Sequence, residues 1–130
     1  MGKLSDYTVE ALLDHFFGKA VFESPTIYLA ASLEDPGPDG AGLTEPEASD
    51  YERIEAGPPF WVRNGNEVTN AQQVSFSQAE ETWGEVTHLA LLDAAQGGKV
   101  LASAPLVSSA LVQAGDELRF PEGDVMLTLE

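Results

Sequence analysis

Short β-compatible runs separated by Gly, Pro and Asp turns occupy most of the sequence after residue 25, and they restrict the fold more than any other feature. Residues 86–93 and 99–106 are two such runs, and the Gly-containing turn between them predicts a hairpin. Other strands are predicted at residues 26–33, 117–120 and 125–129, with weaker signals near 51–54, 60–63 and 73–76. This pattern predicts a mainly β fold, an antiparallel sandwich or a partly open barrel.

One amphipathic helix is predicted ahead of the strands, at residues 5–17. Ser5 is a suitable N-cap, and Gly18 supplies a stop after the last turn. The spacing i, i+3, i+4, i+7, i+8 places five apolar residues on one helix face: Val9, Leu12, Leu13, Phe16 and Phe17. A face so rich in Leu and Phe must be buried, either in the core of the domain or against a partner.

The segment at residues 34–50 differs from the rest because acidic residues, Pro and Gly dominate it. Arg53 is the only basic residue between positions 34 and 55. Such a segment buries little apolar surface, so we expect a long exposed loop. The loop interrupts a single domain that covers residues 1–130, of which residues 51–130 form the β-rich part.

The charge and the missing residue types exclude several classes of protein. Acidic residues outnumber basic ones 22 to 6, for a formal charge of −16. Such a surface repels phosphates and anionic lipids, so we expect neither nucleic acid nor membrane as a partner. The absence of Cys excludes disulfides, thiolate metal sites and Cys nucleophiles. We expect no signal peptide, and no apolar run approaches the roughly 18 residues of a membrane-spanning helix.

His15 and His88 are the only histidines, and both are expected to be structural. A catalytic His88 would pair with Asp93 and with a hydroxyl such as Ser103 or Ser108, but the sequence has no Gly-x-Ser-x-Gly nucleophile elbow. His15 is expected to interact with the helix dipole in the last turn. The sequence therefore predicts no catalytic residue, and a hydrolase is the least favoured function.

The acidic run from Asp35 to Gly40 resembles a calcium loop, but it lacks the alternating oxygen ligands and the final bidentate Glu of an EF-hand. A solvated acidic loop is the favoured interpretation. No metal site and no cofactor are predicted.

The large aromatic residues suggest where the chain meets a partner. Trp83 is expected to pack in the core under the hairpin, with its indole N–H hydrogen-bonded. Phe60 and Trp61 follow a Gly-Pro-Pro turn, and they form either a plug in the protein's own core or an exposed interface anchor. The predicted interface residues are Phe60, Trp61, Leu12, Phe16 and Phe17.

Two sequence motifs follow each other along the chain, and each occurs once. The first is LLDHFFGK from Leu12, followed by PTIYLA from Pro25. The second begins at Thr82 with Trp-Gly, then a strand, a His and an Asp-Ala turn, and later Gly97-Gly98, Gly115-Asp116 and Phe120 fit the same order. Together they resemble a family of small tailed-phage virion proteins, often labelled tail fibre proteins. The resemblance covers nearly the whole chain and is weakest across residues 36–70.

This resemblance implies a structural part of the virion, assembled in the host cytoplasm. The protein would be a capsid decoration (cement) protein or a tail-associated protein that acts by subunit packing. Its partners would be other virion proteins and copies of itself, with a trimer as one option. The alternative is a receptor- or carbohydrate-binding module of the tail-fibre type, for which Trp61, Arg63, Asn64 and Asn66 are the one suitable cluster.

Overall fold

The computed structural model describes residues 2–129, and within them one α-helix is followed by a succession of short strands. Strand β1 (Lys3–Leu4) leads directly into helix α1 (Asp6–Phe16). The later strands are β2 (Tyr28–Ser32), β3 (Ile54–Glu55), β4 (Trp61–Asn64), β5 (Glu67–Asn70), β6 (Val74–Ser75), β7 (Gly84–Leu92), β8 (Val100–Val112), β9 (Arg119–Phe120) and β10 (Met126–Thr128). Across the described range, no helix has the length and hydrophobicity needed to cross a membrane.

The strands form three antiparallel sheets. The largest has the order β1-β8-β7-β2-β3, the second has the order β10-β5-β4, and the third pairs β6 with β9. The predicted hairpin is confirmed, because β7 and β8 pair from Gly84 opposite Val112 to Leu92 opposite Val100. The predicted fold class is confirmed as well: the protein is mainly β, with one N-terminal helix, and none of the sheets in residues 2–129 closes into a barrel.

The main core lies between the five-stranded sheet and the smaller sheets. Its buried residues come from both sides and include Leu29, Val86, Leu89, Val74, Phe76, Trp83 and Leu118. Trp83 packs edge-on against Tyr51, with ring centroids 5.2 Å apart. The core position predicted for Trp83 is correct, but the expected hydrogen bond is not: its buried Nε1 has no acceptor among residues 2–129.

The five-stranded sheet is covered on its other face too. Ala30, Ala90 and Leu92 form a second buried cluster, against which Leu43 packs. The acidic segment at residues 34–50 contains neither helix nor strand, yet its Pro36 is among the most buried residues of the protein. The expectation of an exposed loop is therefore wrong for Pro36, which is buried, and for Leu43, which packs on the apolar cluster of the sheet.

The outer edge of β8 is covered over a short length only. Strand β1 pairs with it at Ala102 and Ser103. Further along, residues 106–109 lie opposite Thr87 alone, so β8 bulges away from β7. Val107 is fully exposed at this bulge.

Candidate functional site

Helix α1 begins at the N-cap that the sequence predicts and is attached to the domain through its first turn. Ser5 Oγ accepts a hydrogen bond from Thr8 N at 3.3 Å. Thr8 is the buried residue of α1, and its Oγ1 donates to Leu101 O in β8 at 2.8 Å. Asp6 N donates to Pro38 O at 2.8 Å, which joins the helix to the acidic segment. The helix is therefore fixed on the sheet by a polar contact at Thr8, and Ala11 and Leu12 are half-buried in the following turn.

The remainder of α1 leads away from the body of the domain. The exposed fraction of its apolar side chains rises from 42% at Val9 to 54% at Leu13 and 80% at Phe16. After the helix the chain turns back, and Phe22 N donates to Nδ1 of His15 at 3.1 Å. We call residues 6–22 the arm and residues 15–22 the arm tip.

The apolar face of the arm is not buried in the core of the domain. Leu12 is half-buried, whereas Phe16 and Phe17 meet edge to face in solvent with centroids 5.1 Å apart. The sequence left two positions open for this apolar face, the core of the domain or a partner, and the core is thus wrong. One reason is the anchoring of Thr8 on Leu101, because Leu13 and Phe17 lie roughly on the opposite side of the helix from Thr8.

Phe60 and Trp61, the other predicted interface residues, are half-buried and pack against the main core. They lie at the start of β4, after a 3-10 turn at Pro58–Phe60. The indole N–H of Trp61 donates to Ala56 O at 3.0 Å. Trp61 is therefore held in place by the domain and is not a free surface anchor.

The Trp61 ring lines an apolar pocket of ≈ 230 Å³ between the five-stranded and the three-stranded sheets. None of the side chains within residues 2–129 that line this pocket is charged, and its walls include Ile27, Trp61, Val68, Leu91, Val125 and Leu127. We call it the intersheet pocket. It is assembled from residues far apart in sequence, which is why only Trp61 was singled out from the sequence.

The residues considered for catalysis are not brought together in a triad. His88 Nδ1 lies 2.8 Å from Thr87 Oγ1, and its Nε2 lies 3.9 Å from Asp35 Oδ1. Asp93 instead accepts a hydrogen bond from Lys99 N at 2.7 Å in the β7–β8 turn. Ser103 lines the same surface cleft as His88, whereas Ser108 is exposed on the β8 bulge.

The acidic run that resembles a calcium loop is occupied by its own backbone. Asp35 Oδ1 accepts from Gly37 N at 2.9 Å, and Asp39 Oδ1 accepts from Ala41 N at 3.0 Å. Among residues 2–129, no three Asp, Glu or His side chains converge in a group that could hold a metal ion.

A cluster of side chains that no sequence motif indicated fixes the acidic segment. Arg53 binds the Glu45 carboxylate with two hydrogen bonds, Nη2 to Oε1 at 2.7 Å and Nε to Oε2 at 3.0 Å. Its Nη1 donates to the carbonyls of Ala94 and Gly97 in the β7–β8 turn. The Tyr51 hydroxyl donates to Glu45 Oε2 at 2.7 Å and accepts from Ala31 N of β2. The one signal in the sequence is that Arg53 is the only base in an acidic stretch.

This cluster keeps Glu45 ionised. Burial alone would raise the pKa of Glu45, but the hydrogen bonds from Arg53 and Tyr51 outweigh it and hold that pKa below its ordinary value. For Tyr51, burial and the adjacent carboxylate both raise the pKa of the hydroxyl. The hydroxyl therefore stays protonated and remains a donor to Glu45.

The chain was compared with known proteins and protein families. No curated protein matches the chain. The family model described as podophage GP4 fiber I protein gp80 matches residues 3–128, a range that includes the whole arm and the walls of the intersheet pocket named above. This match confirms the resemblance of the motifs to phage tail fibre proteins. The chain belongs to this family of podophage fibre proteins, and it is a structural component of a phage virion.

Proposed function

We propose that the protein is a tail-associated fibre component that takes its place in the virion by packing its arm tip against a neighbouring subunit. The observation that carries the proposal is the exposure of the large apolar side chain of Phe16, which reaches 80% in a chain of charge −16. Phe17 and Val21 are exposed beside it, by 67% and 79%. A group of apolar side chains this exposed is typical of a protein–protein contact.

The arm tip offers enough apolar surface to contribute to binding. Full burial of a Phe or Val side chain contributes about 1.5–3 kcal/mol, so the three side chains together offer at most about 4–9 kcal/mol before the entropy cost of association. Such a contact is sufficient when many subunits are held together in one particle.

The family description favours a tail-associated fibre role over capsid decoration, the other role that the sequence leaves open. The proposal includes no catalytic step. An activity screen in which His88→Ala abolished a turnover of the wild-type protein would contradict this part of it.

Less supports the alternative of a carbohydrate-binding module. Sugar sites need an exposed aromatic ring among polar side chains. Arg63, Asn64 and Asn66 are exposed at the β4–β5 hairpin, but the ring of Trp61 lines the intersheet pocket and its N–H is already bonded. A glycan array on which the wild-type protein bound and Trp61→Ala did not would favour this alternative.

Phage particles assembled with Phe16→Ser/Phe17→Ser test the proposal. We expect the copy number of the protein per particle, measured by quantitative mass spectrometry, to fall at least tenfold. The matched control is Val107→Ser/Leu111→Ser, which removes two exposed apolar side chains of β8 and should leave incorporation unchanged. Normal incorporation of the arm variant, or immunogold label on the head instead of the tail, would contradict the proposal.

A further inference from the structure

We propose that the intersheet pocket of one copy receives the arm tip of a second copy, so that copies of this chain join head to tail. The inference deepens the proposed function, on which it rests, by naming the surface that the arm tip meets. It also connects the two groups of interface residues predicted from sequence, Phe16 and Phe17 on the arm and Trp61 in the wall of the pocket.

The pocket and the arm tip match in size and polarity. A cavity of about 150 Å³ lined by apolar side chains admits a benzene ring. The intersheet pocket, at ≈ 230 Å³, therefore has room for the phenyl ring of Phe16 or Phe17. Because the pocket walls formed by residues 2–129 are uncharged, a ring that packs against them leaves none of their groups as a desolvated charge.

The charges of the two surfaces also match. The arm tip contains Lys19 and no Asp or Glu, whereas the chain as a whole carries −16. Lys19 of one copy would thus approach the acidic body of a second copy, while two acidic bodies that met elsewhere would repel each other.

A protein's own arm does not fill its own pocket. The hydrogen bonds of Ser5 and Thr8 to Leu101 fix the first turn of α1 on β8. At a rise of about 1.5 Å per residue, Phe16 lies roughly 12 Å further along the helix than Thr8. In this position the rings of Phe16 and Phe17 remain in solvent, where the pocket of a second copy can receive them.

Because the arm tip and the pocket are different surfaces, the contact is heterologous and generates a ring or a chain of copies. This symmetry permits a decisive complementation test. The tip variant Phe16→Ser/Phe17→Ser keeps an intact pocket. The pocket variant Ala104→Leu keeps an intact tip, and its larger side chain occupies part of the cavity.

Light scattering coupled to size exclusion measures the result on the full chain. We expect the wild-type protein to form oligomers, each variant alone to be monomeric, and an equimolar mixture of the two variants to form a 1:1 dimer through its one intact contact. Val107→Ser is the control that should assemble as the wild type does. The inference would be overturned if the wild-type protein stayed monomeric even at 100-fold the concentration used for the variants. It would also be overturned if the mixture of the two variants stayed monomeric.

Cysteine cross-linking supplies a second measurement that does not depend on the stability of the variants. The chain has no Cys, so Phe17→Cys mixed with Val68→Cys allows one heterodimeric disulfide. We expect this disulfide to form at least tenfold faster than that of Phe17→Cys mixed with Val107→Cys; equal rates would contradict the contact.

The two proposals fail in different ways. If the wild-type protein is monomeric but Phe16→Ser/Phe17→Ser is lost from particles, the arm binds a different virion protein and only this inference is wrong. If the complementation succeeds but particles incorporate the arm variant normally, the self-contact stands and the proposed function of the arm is wrong.

Discussion

Replacing Glu45 by Gln is expected to destabilise the protein by about 2–3 kcal/mol at neutral pH. The carboxylate accepts three hydrogen bonds, two from Arg53 and one from Tyr51, and the side chain of Arg53 is only 7% exposed. A hydrogen bond to a charged group contributes about 1 kcal/mol more than one between neutral groups. Gln also turns one of the two acceptor atoms into a donor that faces another donor. Three such hydrogen bonds would together contribute about 3 kcal/mol, and the expected loss is set slightly lower because solvent reaches Glu45, whose side chain is 23% exposed.

The effect of Glu45→Gln should depend on pH in a defined direction. The pKa of Glu45 is lower in the folded state than its ordinary value of 4.5. The stability gained from its ionisation is therefore fully present above that ordinary value, and it is lost as the pH falls through the lower folded-state pKa. The difference between wild type and variant should be largest above about pH 5 and should close in stronger acid, where Glu45 is neutral like Gln.

Urea unfolding followed by Trp fluorescence measures this difference. With a slope of about 2 kcal/mol per molar, a loss of 2–3 kcal/mol lowers the midpoint by about 1–1.5 M. Glu47→Gln is the matched control, since it makes the same change of charge at an exposed residue of the same segment. A midpoint shift below about 0.3 M, or a shift that is equal at pH 7 and in acid, would refute the role assigned to the Glu45–Arg53–Tyr51 cluster.

Two further substitutions test the backbone around the sheets, both by urea unfolding. Asn70 is fully buried, and its Nδ2 donates to Gln72 O and Pro121 O. Asn70→Asp places a carboxylate against these two carbonyls, so it should lower the free energy of unfolding by about 3 kcal/mol at neutral pH, and by less in acid. A loss under about 1 kcal/mol would show that the site rearranges. Gly98 has a φ of +76°, and a Cβ added there would lie 2.5 Å from an oxygen of Asp93, whereas Gly97 has a φ of +65° and open space around it. Gly97→Ala should destabilise the protein by roughly 1 kcal/mol, and Gly98→Ala should destabilise it more because of the added clash. Equal effects of the two substitutions would contradict this.

Features encoded by neighbouring residues could be predicted from the sequence. The helix follows from the apolar spacing between Val9 and Phe17, and its start follows from Ser5, which caps Thr8. The hairpin of β7 and β8 follows from two β-compatible runs around a Gly-containing turn. Each of these is decided within a few residues, where propensity and periodicity act.

The features that were missed depend on residues far apart in the chain. Periodicity shows that α1 has an apolar face but not which side meets the sheet, and Thr8 decided that by bonding to Leu101. The carbonyl of Ala94 that holds Arg53 is 41 residues away, and the walls of the intersheet pocket range from Gly2 to Leu127. Such contacts are fixed by topology, which local sequence patterns do not specify.

The bulge of β8 affects how the protein behaves when many copies are crowded on one particle. A long strand with an uncovered edge offers unpaired N–H and C=O groups to any neighbouring strand, which is the usual route to edge-to-edge aggregation. On β8 that edge begins beyond Ser103, and it is interrupted at once by Pro105, which has no N–H to donate, and by the bulge at residues 106–109. The same irregularity that exposes Val107 therefore protects a fibre protein from polymerising through its sheets.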